Sequence, residues 1–207
     1  MRYLYLLGYA VLAGLSFTSC DGTLDDDELD EDGLVPGVRQ FVSQDVIDGL
    51  KELGHPIYGG VDPPDITGTY FMNPLILTSS NLHGDTLPLG TEIRSQYTHF
   101  VNDPDDSNLN IEVGYRLGNG PENPTDYSVI VGNGCQFTVF SESDFTTGSG
   151  LFWSSLMVTS GCLTDDGIKD AVVTFVLLDD PNEVFAESRS PGEGRMFTDR
   201  DGLAERE

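Results

Sequence analysis

LNIEVGYR, residues 109–116, decides the fold. Leu109, Ile111, Val113 and Tyr115 alternate with Asn110, Glu112, Gly114 and Arg116, the two-residue period of a strand with one buried face and one wet face. The same period extends outward in both directions, over residues 67–77, 92–101, 127–131, 135–142, 151–163 and 171–178, with a short stretch near 195–198. The linkers between these stretches, among them DPDDSN, GNG, DFTTGSG and TDDGIKD, are too short for parallel crossovers, so antiparallel neighbours follow. Val172, Val173, Phe175, Val176 and Leu177 form a run that is apolar on both faces, which predicts a strand covered on both sides. The expected fold is all-β: a mainly antiparallel meander of seven or eight strands, closed as a barrel or folded as a sandwich, with one N-terminal amphipathic helix.

That helix is predicted over residues 38–54. Val38, Phe41, Val42, Val46, Leu50 and Leu53 recur at three- and four-residue steps, with Ile47 beside them, and make one apolar stripe. Gly54 is a natural stop. Its stripe is expected to pack on the doubly apolar strand, because its polar face is mixed rather than basic and does not suit a membrane surface. Residues 54–70, GHPIYGGVDPPDITGTY, form the hinge into the β-rich body, with prolines that exclude helix and central strand alike.

The first twenty residues, MRYLYLLGYAVLAGLSFTSC, carry Arg2, an apolar run to Leu15 and small or polar residues up to Cys20. This is the pattern of a secretory signal peptide, and the run is too short to span a bilayer as a stable helix. Residues 21–33 hold eight carboxylates and no base, a density that repels itself and is expected to stay extended. The chain therefore divides into a signal peptide over 1–19, an acidic tether over 20–37, a helix over 38–54 and a β-rich domain over 55–207. Its formal net charge is −25, and removal of residues 1–19 leaves 9 basic against 35 acidic residues. Nucleic acid is excluded as an expected partner, because phosphate binding needs clustered Lys and Arg.

Phe17-Thr18-Ser19-Cys20 resembles a bacterial lipoprotein lipobox. The resemblance implies cleavage before Cys20, lipidation of Cys20 and attachment to a membrane through that lipid. An acidic cluster close behind the lipidated cysteine resembles the surface-export signal of lipoproteins in one group of Gram-negative bacteria. Asp21 resembles instead the inner-membrane retention signal of others. The outer membrane is the expected location, on its outer face or, alternatively, its periplasmic face. The hinge resembles a G-x-P-I-Y-x-G-x-x-P-P-x-I-x-G-x-Y tract found in a group of uncharacterised bacterial lipoproteins, through Gly54, Pro56, Ile57, Tyr58, Gly60, Pro63, Pro64, Ile66, Gly68 and Tyr70. That group implies no activity. Gly68-Thr69-Tyr70 also resembles the lipocalin G-x-W, with Arg195 as the late arginine that would cap a barrel.

With Cys20 acylated, Cys135 and Cys162 remain. They lie almost symmetrically about the turn segment 144–150, so a hairpin of the strands beside it sets them nearly opposite and a disulfide is predicted. Such a loop contributes roughly 3 kcal/mol by chain entropy.

Catalytic and metal motifs are scarce, and no catalytic residue, cofactor or metal site is expected. His55, His83 and His99 show neither H-x-H nor H-x-x-x-H spacing. His83-Gly84-Asp85 reads as a solvated turn before a metal site. Asp199-Arg200-Asp201-Gly202 covers half of a calcium loop but has Phe197 where the first ligand belongs. Asp103, Asp105, Asp106 and Asn108 read as a capped hairpin turn, and Glu142 and Asp144 as carboxylates flanking a turn before an acid and base pair. Phe152 and Trp153 must point to opposite faces, one into the core and the other outward as a candidate contact.

Two functions remain open. The first is a non-enzymatic binding or scaffold domain meeting an envelope protein or small ligand through loops 79–91 and 114–126. The second is a small-ligand carrier, hydrolase or isomerase with its site in a barrel mouth. A filled apolar interior favours the first, and convergent polar groups in a pocket of a few hundred Å³ favour the second.

Overall fold

Alternation in the chain becomes alternation in space. The computed structural model describes residues 29–102, 109–146, 149–179, 181 and 191–207, so the signal peptide, Cys20 and the 103–108 turn lie outside the described residues. Twelve strands form within them: β1 (Val61–Asp62), β2 (Gly68–Met72), β3 (Leu75–Ser80), β4 (Gln96–Asn102), β5 (Ile111–Leu117), β6 (Asn123–Pro124), β7 (Tyr127–Asn133), β8 (Gln136–Thr146), β9 (Phe152–Thr164), β10 (Gly167–Asp179), β11 (Gly194–Asp199) and β12 (Leu203–Arg206). The fold is all-β, and every strand pair is antiparallel except β1 with β7.

The meander runs as expected from β7 through β10. At β10 the sheet forks. Gly167 to Lys169 pair with β12, and Val172 to Val176 pair with β11. The fork sits at a register shift where Asp170, with φ of 54°, turns its N–H onto the Gly202 carbonyl at 2.6 Å. One branch continues from β12 through β2 and β4 to β5, and the other from β11 to β3. β5 then returns to β7 through the bridge Asn110–Val129 and the Ile130 N–H on the Leu109 carbonyl at 2.9 Å. The sheet thus closes into a barrel, which leaves few free edges.

Two cores follow from closure. The inner one gathers Tyr70, Phe100, Val113, Phe137, Val139 and Val173, among others, from around the barrel. The outer one lies on the far side of β7 to β10, where Val131, Phe140, Val158 and Val176 meet the N-terminal helices. Strands β8 and β10 are therefore buried on both faces, as the run at 172–177 predicts.

Three expectations need correction. The helix expected over 38–54 is two: α1 (Pro36–Arg39) and α2 (Gln44–Leu53). Ser43 interrupts it because its Oγ accepts from the Val46 N–H and starts a new helix. The stripe nevertheless stays buried, and Gly54 ends α2 in the left-handed region. The acidic tether expected over 20–37 is folded where it is described. Leu34 and Val35 are fully buried, and Arg39 and Lys51 supply the bases that the stretch lacks, pairing with Asp30 and Asp32. The strand expected over 67–77 is two, β2 and β3, because Pro74 has no N–H for the ladder and the chain turns at Asn73–Pro74, a cis peptide. The Asn73 N–H is taken by the carboxylate of Asp199 at 2.7 Å.

The proline-glycine hinge strings the helices to the barrel. Gly60 donates to Gly33, accepts from Gly132, and has φ of 128°. A Cβ there would stand 2.5 Å from the Gly132 carbonyl oxygen, so no other residue lets β1 dock parallel to β7.

Candidate ligand site at the barrel mouth

Cross-strand pairs in an antiparallel sheet share a face, so the register maps the interior layer by layer. Phe100 pairs with Val113, and Val139 with Thr159. One layer toward the end where β5, β8 and β10 finish, Thr98 pairs with Tyr115, Ser141 with Met157 and Met157 with Phe175. The last layer pairs Gln96 with Leu117, Ser143 with Ser155 and Ser155 with Leu177. The interior is apolar at its centre and turns polar toward this end. Gln96 crosses from β4 and brings its Nε2 to 3.7 Å from the Met157 sulfur on β9 while donating to Thr98 Oγ1 at 2.9 Å.

Above this layer the barrel opens into a pocket of about 360 Å³. Four aromatic rings stand in its wall: Tyr115, Trp153, Phe175 and Phe197. Tyr115 and Phe175 lie 6.0 Å apart between ring centres, and Phe175 and Phe197 6.2 Å, both tilted as aromatic quadrupoles prefer. Leu82 from the 79–91 loop and Leu117 from the 114–126 segment also line it. Of the two segments expected to make contacts, 79–91 reaches the pocket through Leu82, and 114–126 only through Tyr115 and Leu117, which belong to strand β5. Leu117 leaves its part of the rim apolar, at 39% exposure.

The loop that crosses this end is held by one ion pair. Arg195 on β11, beside Phe175 in register, donates from Nε and Nη2 to the two carboxylate oxygens of Asp85 at 2.8 and 2.7 Å. Asp85 also accepts from Ser80 Oγ at 2.5 Å and from the Leu87 N–H at 3.0 Å. The guanidinium, then these donors, hold its carboxyl well below the usual carboxylate range. His83-Gly84-Asp85 is thus a turn whose carboxylate is occupied by an arginine. Arg195 stands at the mouth, but the arginine over the Tyr70 ring is Arg206 of β12, 5.8 Å from the ring centre.

Of the aromatic pair at the start of β9, Trp153 takes the inward parity and lines the pocket, so the contact candidate is the inward ring and not the outward one. Glu142 and Asp144 fall on the outer face of β8. There Asp126 Oδ2 accepts from the Asp144 N–H at 2.7 Å, and burial, then Asp144, push the Glu142 carboxyl up. Asp199 and Asp201 belong to the β11–β12 turn, accepting from the backbone N–H groups of Asn73, Asp201 and Leu203. Among the described residues no three His, Cys, Asp or Glu side chains are grouped to hold a metal ion, and no helix is long and apolar enough to cross a membrane.

His55 is the residue that sequence reading passed over. Its ring is 4% exposed, between Thr174 Oγ1 at 2.7 Å from Nδ1 and Ser160 Oγ at 2.9 Å from Nε2. Ser160 continues to Thr138, which accepts the Tyr58 N–H. Burial lowers its pKa to about 3, so it is neutral and holds the hinge to the outer face of β8, β9 and β10. Only its place inside the G-x-P-I-Y tract could have marked it. Cys135 and Cys162 form the predicted disulfide, with Cα atoms 4.8 Å apart. The register pairs Gln136 with Cys162, so the bridge lies one residue off the direct pair. No protein-family model, curated protein or solved structure matches the chain.

Proposed function

We propose that the protein is a lipid-anchored domain of the bacterial envelope, held to the outer membrane through Cys20, that binds a small amphipathic molecule in the mouth of its barrel and performs no chemistry on it. The observation that carries the binding reading is the pocket of about 360 Å³ walled by four aromatic rings. Ligand pockets are concave, mainly apolar and about 300–1,000 Å³, so this one suits a small occupant. The described pocket wall offers Glu193, Arg195 and Tyr115 as its titratable side chains. Arg195 is already engaged by Asp85, and burial raises the Tyr115 phenol, so neither is poised for proton transfer near neutrality. The anchor rests on the lipobox-like end of the first twenty residues.

Two measurements test the two halves. N-phenyl-1-naphthylamine should brighten saturably at one site per protein, and Ser155→Phe, which fills the pocket from its wall, should abolish the signal. An unaltered signal in that variant removes the mouth as the site. Palmitate should label the wild-type protein in cells and fail to label Cys20→Ser, and absence of label in the wild type removes the anchor.

A further inference from the structure

Beneath the aromatic pocket lie polar atoms that the protein itself does not satisfy. Ser141 Oγ, Ser143 Oγ, Thr159 Oγ1, Gln96 Oε1 and the Tyr70 hydroxyl are buried without a hydrogen-bond partner in the protein. Their residues are nearly inaccessible: Gln96 at 0%, Ser141 at 1% and Ser143 at 6% exposure. An unsatisfied buried donor or acceptor costs about 1–3 kcal/mol, and native interiors rarely tolerate several together. These are not scattered. Four pocket-wall residues are register partners of the polar layer or its neighbours: Ser155 pairs with Ser143, Leu117 with Gln96, Tyr115 with Thr98 and Phe175 with Met157. Met157 in turn pairs with Ser141 and receives the Gln96 amide.

We infer that the mouth binds its ligand head-first: an uncharged hydrogen-bonding head, an amide or alcohol, enters the Gln96–Ser141–Ser143 layer while the apolar body stays among Tyr115, Trp153 and Phe175. This rests on the mouth being the binding site and adds the chemical class of the occupant. The layer has hydroxyls that both donate and accept and an amide oxygen that accepts, which suits a head with both capacities. It holds no ionised side chain, so a charged head would lose its hydration without gaining a counter-charge. Among the described residues that line the pocket, Arg195 is the cation and is paired with Asp85, and Glu193 is the carboxylate.

Trp153 is the sole tryptophan of the chain and lines the pocket, so its emission reports occupancy without a label. Octanamide, 1-octanol, 1-chlorooctane, octanoate at pH 8 and octyltrimethylammonium are titrated into the intact protein. Octanamide and octanol should bind at least about tenfold more tightly than the two charged probes. The double substitution Ser141→Ala, Ser143→Ala removes two unpartnered hydroxyls, so the variant should fold with an unchanged or higher denaturation midpoint. It should weaken octanamide about tenfold and leave chlorooctane unchanged. If probes bind but heads are not discriminated, or if the double variant binds octanamide as the wild type does, the head-first inference is overturned and the layer holds only internal solvent. Absence of any saturable change in Trp153 emission overturns the mouth reading itself.

Discussion

Arg195 and Asp85, 110 positions apart, meet through two parallel charge-assisted hydrogen bonds across the open end of the barrel. A strand residue thereby fixes the loop that carries Leu82 into the pocket wall. Paired, bidentate geometry of this kind is the stronger form of ion pair, and Asp85 is 9% exposed, so screening is limited.

Removing the charge should be felt in stability and in its pH dependence. Asp85→Asn leaves Arg195 with half a partner and should cost about 1–3 kcal/mol in urea denaturation at pH 7. The folded-state pKa lies below the ordinary value of 3.8. Its stabilisation is therefore complete above pH 3.8 and is lost as pH falls through the folded value. The wild type should lose its advantage over Asp85→Asn below that pH, and a gap that stays constant down to pH 2 would show that the pair carries no differential charge stabilisation.

His55 gives the opposite kind of test, because its pKa is depressed by burial alone, to about 3. Below its ordinary value of 6.5 the unfolded chain takes up a proton that the folded chain refuses, so stability is present above pH 6.5 and declines as pH falls from there toward about 3. The limiting slope is about 1.4 kcal/mol per pH unit for one proton. His55→Phe should remove this acid limb between pH 6.5 and 4. At pH 7 it should cost about 2–4 kcal/mol, since Thr174 and Ser160 lose their partner in a buried site. Denaturation midpoints across this range decide it, and a wild type equally stable at pH 4.5 and 7 would contradict the neutral, buried assignment.

The same residue shows where sequence reading ends. Alternation at 109–116 and the doubly apolar run at 172–177 were enough to expect a mainly antiparallel sheet with β10 covered twice, because burial on each face is written directly in side-chain type. Closure was not so written. It depends on Leu109, whose φ of 59° sends its carbonyl to Ile130, and on a fork at Asp170, both of them backbone events at residues without a signature. β12 went unread because a four-residue strand, LAER, alternates too briefly to exceed chance. The helix break at Ser43 was legible as a cap residue, but the apolar stripe runs through it and masks it. The pocket was not legible, since its walls are ordinary strand aromatics until the register sets Tyr115, Phe175 and Trp153 at one end. His55 reads as a loop histidine until Thr138, Ser160 and Thr174, all on one outer face, are placed around it.

The Cys135–Cys162 bridge ties the β7–β8 turn to the third strand of the meander and closes a loop of 27 residues. Chain entropy assigns it about 3 kcal/mol. Cys135 is exposed, so dithiothreitol should reach it without unfolding. The reduced and alkylated protein, and Cys135→Ala with Cys162→Ala, should both unfold at lower urea with little change in the slope. Intact mass under non-reducing conditions should be two hydrogens below the reduced form. Alkylation of both Cys135 and Cys162 in protein isolated without reductant would rule the bridge out.

Glu142 carries a destabilising charge rather than a stabilising one. It shares the outer face of β8 with Asp144, and Asp126 is close enough to accept the Asp144 N–H. Burial is the first cause of its raised pKa, and the neighbouring carboxylates add to it. Ser154 offers only a 3.4 Å hydrogen bond in return. A carboxyl whose folded pKa exceeds its unfolded value of 4.5 binds its proton more tightly in the native state, so stability falls as pH rises through that region. Glu142→Gln keeps the shape and the Ser154 contact while removing the ionisation. It should gain about 0.5 kcal/mol at pH 7, discounted for partial exposure, and nothing at pH 4, where the wild-type carboxyl is already largely protonated. A variant that is less stable than the wild type at pH 7 would mean that Glu142 has a favourable partner and that the outer face of β8 is itself a site for a cation.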